Sequence, residues 1–347
     1  LVQYHLDLGG IVKRWQFWLG VVISALLLWW ALRNLQLKEV WSALQGAKYW
    51  WLIPGVAVYM LAVGARTWRW HYLLRPLKSV SVRTMFPIVA IGYMGNNIYP
   101  ARAGELLRAY VLRKREGISI SASLATIIIE RAFDGIVMLA FVFLNLPELA
   151  RLTVDSGFVG DIRTLALVGA GLFLFAVLVF LLMAVFPEKS MGVVNKIIER
   201  VLPTRFQEVA RSLIERFHDG LSSLRSPKDV LMVLVTSVII WLLETWKYWF
   251  VMHAFSFSVS FFALMLMNGI VNLATTIPSA PGYIGTFDAP GIKVLEAYGV
   301  PGAVAAGYTL VLHAALWLPI TLLGAYYMAR EQLSWQSVQE EIAEERK

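Results

Sequence analysis

The chain has no cysteine, only five histidines and few charges for its length. Without cysteine there is no disulfide scaffold. His5, His71, His218, His253 and His313 are scattered without metal-site spacing, so no metal is expected and no other cofactor either. A Walker-type phosphate loop is also missing, which argues against nucleotide hydrolysis. Charged residues make up 16% of the 347, where a soluble globular chain has about a quarter. That shortage excludes a soluble enzyme and a disordered tail protein. What stands in place of charge is apolar: 58% of residues are hydrophobic, 14 are tryptophan, and the mean hydropathy is +0.63. A net charge of +8 would suit nucleic acid or a membrane surface. The apolar residues come in bilayer-length blocks, so the membrane is expected and nucleic acid is not.

A hydrocarbon core of about 30 Å takes about 20 helical residues. Segments 15–32, 122–146, 164–186, 228–253 and 303–328 meet that length, and 49–65 joins them because Tyr49, Trp50, Trp51 and Trp68 form an interfacial belt. The fold class is therefore an all-α integral membrane protein with about six full transmembrane helices. Two further apolar stretches, 84–98 and 261–277, each run into a Pro/Gly cluster and read as re-entrant broken hairpins. Arg66, Arg69, Arg75, Lys78 and Arg83 precede the first stretch, and Arg102, Arg108, Arg113, Lys114 and Arg115 follow it. Basic loops on both sides place both ends in the cytoplasm, so the segment enters and returns from one side. Loops 147–163 and 254–260 then lie outside, 187–227 lies inside, and both termini are cytoplasmic; the loop 33–48, with Arg33, Lys38 and Lys48, fits this topology poorly. Within 187–227, apolar residues at helical spacing predict an amphipathic surface helix, and Ser226-Pro227 predicts the start of the next span. The whole of 1–347 reads as one polytopic domain.

The two Pro/Gly clusters align with each other. Pro100 pairs with Pro278, Gly104 with Gly285, Gly117 with Gly299 and Glu130 with His313, at offsets of 178, 181, 182 and 183. Repeat 1 covers about 84–146 and repeat 2 about 261–328. With their spans running in opposite directions this is an inverted repeat, a plan in which broken elements meet near the bilayer midplane. Pro100, Gly104, Pro278, Pro281, Gly282 and Gly285 shape the hairpins.

The candidate site follows from charge placed where charge is costly. Glu130, Arg131 and Asp134 lie near the middle of 122–146, and a mid-bilayer charge costs about 2.5–3.5 kcal/mol. Glu130 and Asp134 share one helix face at i,i+4, and Arg131 reaches Asp134 at i,i+3. Glu244 and Lys247 form a second i,i+3 pair, with Lys247 near enough to an end to snorkel. His313 lies mid-span. The first break adds Asn96, Asn97, Arg102, Glu105 and Arg108. A helix beginning after Pro100 would aim free N–H groups and arginine charge at an anion, phosphate above all. In the second break Thr286 would cap the following helix, with Asp288 in its first turn. Plain structural roles compete throughout: a self-neutralising charge cluster, arginines on lipid headgroups, a buried histidine.

At Asn97, Pro100, Gly104, Glu105, Arg108, Glu130, Arg131 and Asp134 the chain resembles the flippase-like membrane family. This is the transmembrane region of bacterial lysylphosphatidylglycerol synthases and their stand-alone relatives, including archaeal proteins once labelled dolichol-phosphate-sugar synthetases. Pro281, Gly282 and Gly285 match its second pattern, with Asp288 one residue later than the family places its acid. The resemblance spans about residues 10–330 and lacks the soluble aminoacyltransferase half. It implies a lipid flippase-like protein in a prokaryotic plasma membrane and no catalytic residue. The cargo would be a phospholipid or lipid-linked headgroup, aminoacylated or polyprenyl-phosphate lipid included. Expected partners are membrane lipids, a lipid-synthesis enzyme and a second copy in a homodimer. Two rivals stay open: a membrane-embedded glycosyl or lipid transferase, and a non-transporting scaffold for a lipid-synthesis enzyme.

Overall fold

A computed structural model describes residues 15–33, 35–99, 102–152 and 226–331, with isolated positions between 171 and 215. The expected span 164–186, most of the amphipathic segment 187–227, and Pro100 lie outside the described residues. Among the described residues there are ten helices: α1 (Trp15–Leu32), α2 (Leu37–Gln45), α3 (Leu52–Leu74), α4 (Val82–Ile98), α5 (Ala103–Glu116), α6 (Ile120–Leu152), α7 (Pro227–Met252), α8 (Phe261–Ala274), α9 (Asp288–Ala297) and α10 (Gly302–Arg330). Single 3-10 turns stand at Tyr49–Trp51 and Pro281–Tyr283.

Serine opens four of these helices, α6 among them through Ser119, whose Oγ accepts the Ala122 N–H. The Oγ atoms of Ser81, Ser226 and Ser260 accept the backbone N–H of Thr84, Asp229 and Ala263, filling one orphan donor each. The start expected at Ser226-Pro227 is thus observed. Gly117 ends α5 with φ 72°, in the left-handed region that glycine enters without a Cβ penalty. Gly299 takes φ 78° just past α9.

The side-chain distribution is inside out relative to a soluble bundle. On α7, Leu231, Val235, Val238, Leu242 and Trp246 form one exposed apolar stripe. The opposite face buries Ser237, Glu244, Thr245 and Lys247. A helix that points apolar groups outward and charge inward is arranged for lipid. Among the described residues, Lys228–Met252 and Gly302–Arg330 are long and apolar enough to cross a bilayer. The pair α1 and α2, bent by 86°, makes a third if taken as one span. Six full spans are therefore not confirmed among the described residues, which leave out the expected span 164–186. α3 and α6 have the length, 23 and 33 residues, but their internal charges lower their apolar content: Arg66 and Arg69 in α3, Glu130, Arg131 and Asp134 in α6.

Three expectations need correction. Segment 33–48 is not simply a loop, because α2 occupies its second half and packs on α10. Arg66 and Arg69 are not loop residues, because α3 runs on to Leu74 and buries both. Lys247 does not snorkel; it is 1% exposed and bonded to Glu244.

The helices pack in a reciprocal pattern. α3 lies along α7 in the most extensive contact of the bundle. α4 packs on α10 and, correspondingly, α8 packs on α6. α4 also folds back on α5, and α8 on α9. Each contact made by α3–α6 thus has a counterpart made by α7–α10. The α4–α5 approach is close enough to require glycine: a Cβ on Gly104 would overlap the backbone of Gly92 and Asn96. A Cβ on Gly95 would stand 2.7 Å from Gly104 Cα. Small residues at a helix crossing allow such backbone contact.

Candidate functional site

The two broken segments meet each other, and a cavity of about 690 Å³ lies beside the meeting point. Its wall draws on α3 (Tyr59, Arg66), α4 (Tyr93, Asn96, Asn97), α6 (Arg131, Asp134), α7 (Trp241, Glu244, Lys247), α8 (Asn272) and α10 (His313, Trp317), with Arg102, Gly282 and Tyr283 from the breaks. Apolar side chains, Met138, Leu139, Val142, Ile270 and Leu273, complete one side.

Two contacts join the first break to α10, and one joins it to the second break. Asn97 Nδ2 donates to Thr321 Oγ1 (2.8 Å), Trp317 Nε1 donates to Asn97 O (3.3 Å), and Arg102 Nη2 donates to Thr275 O (3.2 Å). Arg102 adopts φ 54°, a left-handed conformation uncommon for a residue with a Cβ. Backbone held in that region at a broken element is a local departure worth a site reading.

Below the breaks lies a buried charge network. Arg69 Nη1 donates to Asp134 Oδ1 (2.6 Å) and to Ser237 Oγ (2.7 Å), and Nη2 donates to Asp134 Oδ2 (3.2 Å). Trp241 Nε1 donates to Asp134 Oδ1 as well (2.8 Å). Glu130 pairs with Arg108 (2.8 Å), whose guanidinium lies 3.5 Å from the Trp70 ring centre. Arg66 Nη2 donates to Glu244 Oε1 (2.7 Å), and Lys247 Nζ donates to Glu244 Oε2. These carboxylates have their partners inside the protein, as buried charge requires.

Two cations are held more loosely. Arg131 stands 3.8 Å from Glu105 and 3.6 Å from Asp134, and Arg102 stands 3.9 Å from Glu105. These separations exceed hydrogen-bond length, so the pairs attract without being bonded. Arg131 keeps 35% of its side chain exposed and Arg102 keeps 31%, both on the cavity. Along the whole wall, Arg66, Arg102, Arg131 and Lys247 face Asp134 and Glu244, four cations against two carboxylates. The wall therefore has two positive charges in excess.

The second break is fastened differently. His313 Nδ1 lies 2.8 Å from Asp288 Oδ1 and Nε2 lies 2.7 Å from Gly282 O. Asp288 Oδ2 accepts the Gly285 N–H (2.9 Å). Both ring nitrogens thus tie α10 to the turn, where Gly282 holds φ 75°. A Cβ there would stand 2.8 Å from Trp317 Nε1. The expected cap is corrected: Thr286 Oγ1 donates to Tyr283 O, and α9 begins at Asp288 with Phe287 as an N-cap that makes no side-chain hydrogen bond.

Of the residues singled out in the sequence, Asn96, Asn97, Arg102, Arg131, Asp134, Glu244, Lys247, Gly282 and His313 line one cavity. Glu105, Arg108, Glu130 and Asp288 stand behind the wall, each ion-paired with a neighbour. Gly104 and Gly285 sit at close backbone contacts, while Pro278 and Pro281 flank the second turn. Arg108 is corrected as an anion ligand, since Glu130 neutralises it. Sequence reasoning missed Arg66, Arg69, Tyr59, Tyr93, Trp241 and Trp317. The available signal was that α3 continues at helical spacing past Arg66, which puts Arg66 and Arg69 on one face at i,i+3.

The family described as "Lysylphosphatidylglycerol synthase TM region" matches residues 17–324. A UPF0104 membrane protein of Methanothermobacter thermautotrophicus is 27% identical, over 80% of this chain and 83% of its own. Another, of Methanocaldococcus jannaschii, is 25% identical over 74% of this chain and 77% of its own. Glycosyltransferase AglD of Haloferax volcanii is 27% identical over 97% of this chain, which spans 58% of that protein. No solved structure matches the chain.

Proposed function

The chain belongs to the membrane-protein family of the lysylphosphatidylglycerol synthase TM region, and from that premise we propose that its cavity takes up the phosphate-bearing headgroup of a membrane lipid and passes it between leaflets. The observation that supports this reading best is the loosely held pair Arg102 and Arg131 on the wall of the cavity beside the two breaks. Guanidinium groups match phosphate oxygens two at a time. Neither arginine must break a hydrogen bond to Glu105 to do so.

The reciprocal packing of α3–α6 and α7–α10 supports an inverted repeat longer than the one first expected. Arg66 and Glu244, bonded to each other, are 178 positions apart, and so are Arg69 and Lys247. The α3–α7 crossing then lies on the axis that relates the halves. Alternating access is the rocking of one half against the other about that crossing, with α4–α5 and α8–α9 as hairpins reaching the middle. On this reading the protein is a multi-pass component of a prokaryotic plasma membrane, both termini are cytoplasmic, and it is not an enzyme. A lipid-synthesis enzyme would supply the lipid, and the protein would work as a homodimer.

The likeness to glycosyltransferase AglD of Haloferax volcanii favours a second reading, transfer of a sugar to a lipid. One experiment separates the readings. Purified protein is reconstituted in liposomes with a headgroup-labelled fluorescent phospholipid, and outer-leaflet label is bleached. We expect bleaching beyond half of the label with wild-type protein, and slower loss with Arg131→Gln. No movement of phospholipid or polyprenyl-phosphate lipid would overturn the flippase reading. Turnover of a labelled sugar donor by the same preparation would establish the transferase.

A further inference from the structure

The family description names a lipid whose headgroup is cationic, a lysyl ester of phosphatidylglycerol. A pocket for such a group needs either a carboxylate free to receive an ammonium or an open aromatic face to stack on it. On the cavity wall little of either is free, and Glu105, behind the wall, stands between Arg102 and Arg131 without a hydrogen bond to either. Asp134 is filled by two bonds from Arg69 and one from Trp241, with Arg131 beside it. Glu244 is filled by Arg66 and Lys247. Glu130, behind the wall, belongs to Arg108. Five of the seven aromatic rings on the wall lie against the protein's own cations; Phe287 lies against His313, and Trp317 has no such cation among the described residues. Arg66 lies 5.7 Å from the Tyr93 ring centre and 5.0 Å from that of Trp241. Lys247 lies 4.7 Å from Tyr59 and 5.3 Å from Tyr248, and Arg102 lies 5.8 Å from Tyr283.

We infer that this cavity selects lipid headgroups of net negative charge and rejects cationic aminoacylated ones, because its wall carries two cations in excess and its wall carboxylates and most of its aromatic faces are occupied by its own arginines and lysine. The inference rests on the reading that the cavity takes a lipid headgroup, and narrows it. An incoming ammonium would meet two uncompensated positive charges and no vacant carboxylate on the wall. A phosphodiester whose remaining groups are hydroxyls meets Arg102 and Arg131 at the phosphate. Asn96, Asn97 and Asn272 also stand on the wall, where Asn97 and Asn272 already donate from Nδ2 to Thr321 and Asn268.

The test is competitive binding to the intact protein in detergent micelles. Equal amounts of phosphatidylglycerol and lysylphosphatidylglycerol are offered, and retained lipid is measured by native mass spectrometry. Wild-type protein is expected to retain phosphatidylglycerol over the lysyl lipid by about tenfold, the equivalent of one modest charge contact. Arg131→Gln should cut that ratio several-fold, and Arg131→Glu should bring it to one or below. Arg131 is part-exposed and not hydrogen bonded to its carboxylate neighbours, so both variants are expected to fold; unchanged melting temperature checks it. Equal or preferential retention of the lysyl lipid by the wild type overturns the selectivity, as does a ratio indifferent to both substitutions. Retention of neither lipid is a different result: it strikes the lipid-carrying reading and the selectivity falls with it.

Discussion

Replacing Arg69 with methionine removes the cation at the centre of the buried network. Arg69 is fully buried and holds Asp134 by two bonds, the shorter 2.6 Å. At an effective dielectric of about 20, opposite charges at that separation attract by about 6 kcal/mol. Desolvation of both ions offsets much of this, so the net value of the pair is small. Breaking it is another matter. Asp134, 1% exposed, would keep the Trp241 N–H and a cation 3.6 Å away, and would lose its bonded partner with no water to replace it. Removing one member of a buried pair costs about 3–5 kcal/mol. We expect Arg69→Met to lose about that much stability, and Asp134→Leu a similar amount. The double variant removes both charges and should lie at least 2 kcal/mol above the sum of the singles, roughly the range in which apolar replacement of buried pairs is tolerated. Equilibrium unfolding in mixed micelles, followed by far-UV circular dichroism, measures all three. Single costs under about 1 kcal/mol, or strict additivity, would refute the argument that the network is a closed set of mutually dependent charges.

Four further outcomes follow from other parts of the structure. Gly104→Ala should destabilise by more than 2 kcal/mol, because its methyl group would overlap the Gly92 and Asn96 backbones; thermal inactivation in micelles reads it. Gly64→Ala is the control in the same bundle: nothing lies within 4 Å of the new Cβ, and the substitution should be neutral or stabilise α3 by up to about 1 kcal/mol. Asp288→Ala leaves the Gly285 N–H and one His313 nitrogen without their partner, costing about 1–3 kcal/mol, with faster hydrogen exchange at residues 282–285 as the local readout. Glu331→Ala breaks a pair with Arg115 whose side chains are 28% and 21% exposed, and should change stability by less than about 1 kcal/mol.

Much of the site was legible residue by residue. Glu130, Arg131, Asp134, Glu244 and Lys247 stand out because charge inside an apolar run has few tolerable explanations, and the structure buries or half-buries all five in one network. The Pro/Gly breaks stand out for a similar reason, since interrupted backbone in a membrane must be satisfied by neighbours. Arg66 and Arg69 were not legible. An arginine near the end of an apolar run reads as the start of a basic loop, and only a partner 178 or 65 positions away along the chain makes it an interior residue. The same limit misled the reading of Arg108. Its positive charge was evident from the sequence, but its neutralisation by Glu130 depends on how α5 leans on α6.

The amino-acid sequence by itself determined that this is an all-helical membrane chain, where its helices break, and which charges cannot face lipid. Those properties are local: they follow from the length of apolar runs, from glycine, proline and serine at helix ends, and from the cost of a charge in hydrocarbon. The tertiary structure alone decided which of those charges are spent on one another and which remain for a ligand. Electrostatic pairing is a property of distance through space, and α3, α6 and α7 come together only when the bundle is packed. That packing consumes Asp134, Glu130 and Glu244, and leaves Arg102 and Arg131 facing the cavity.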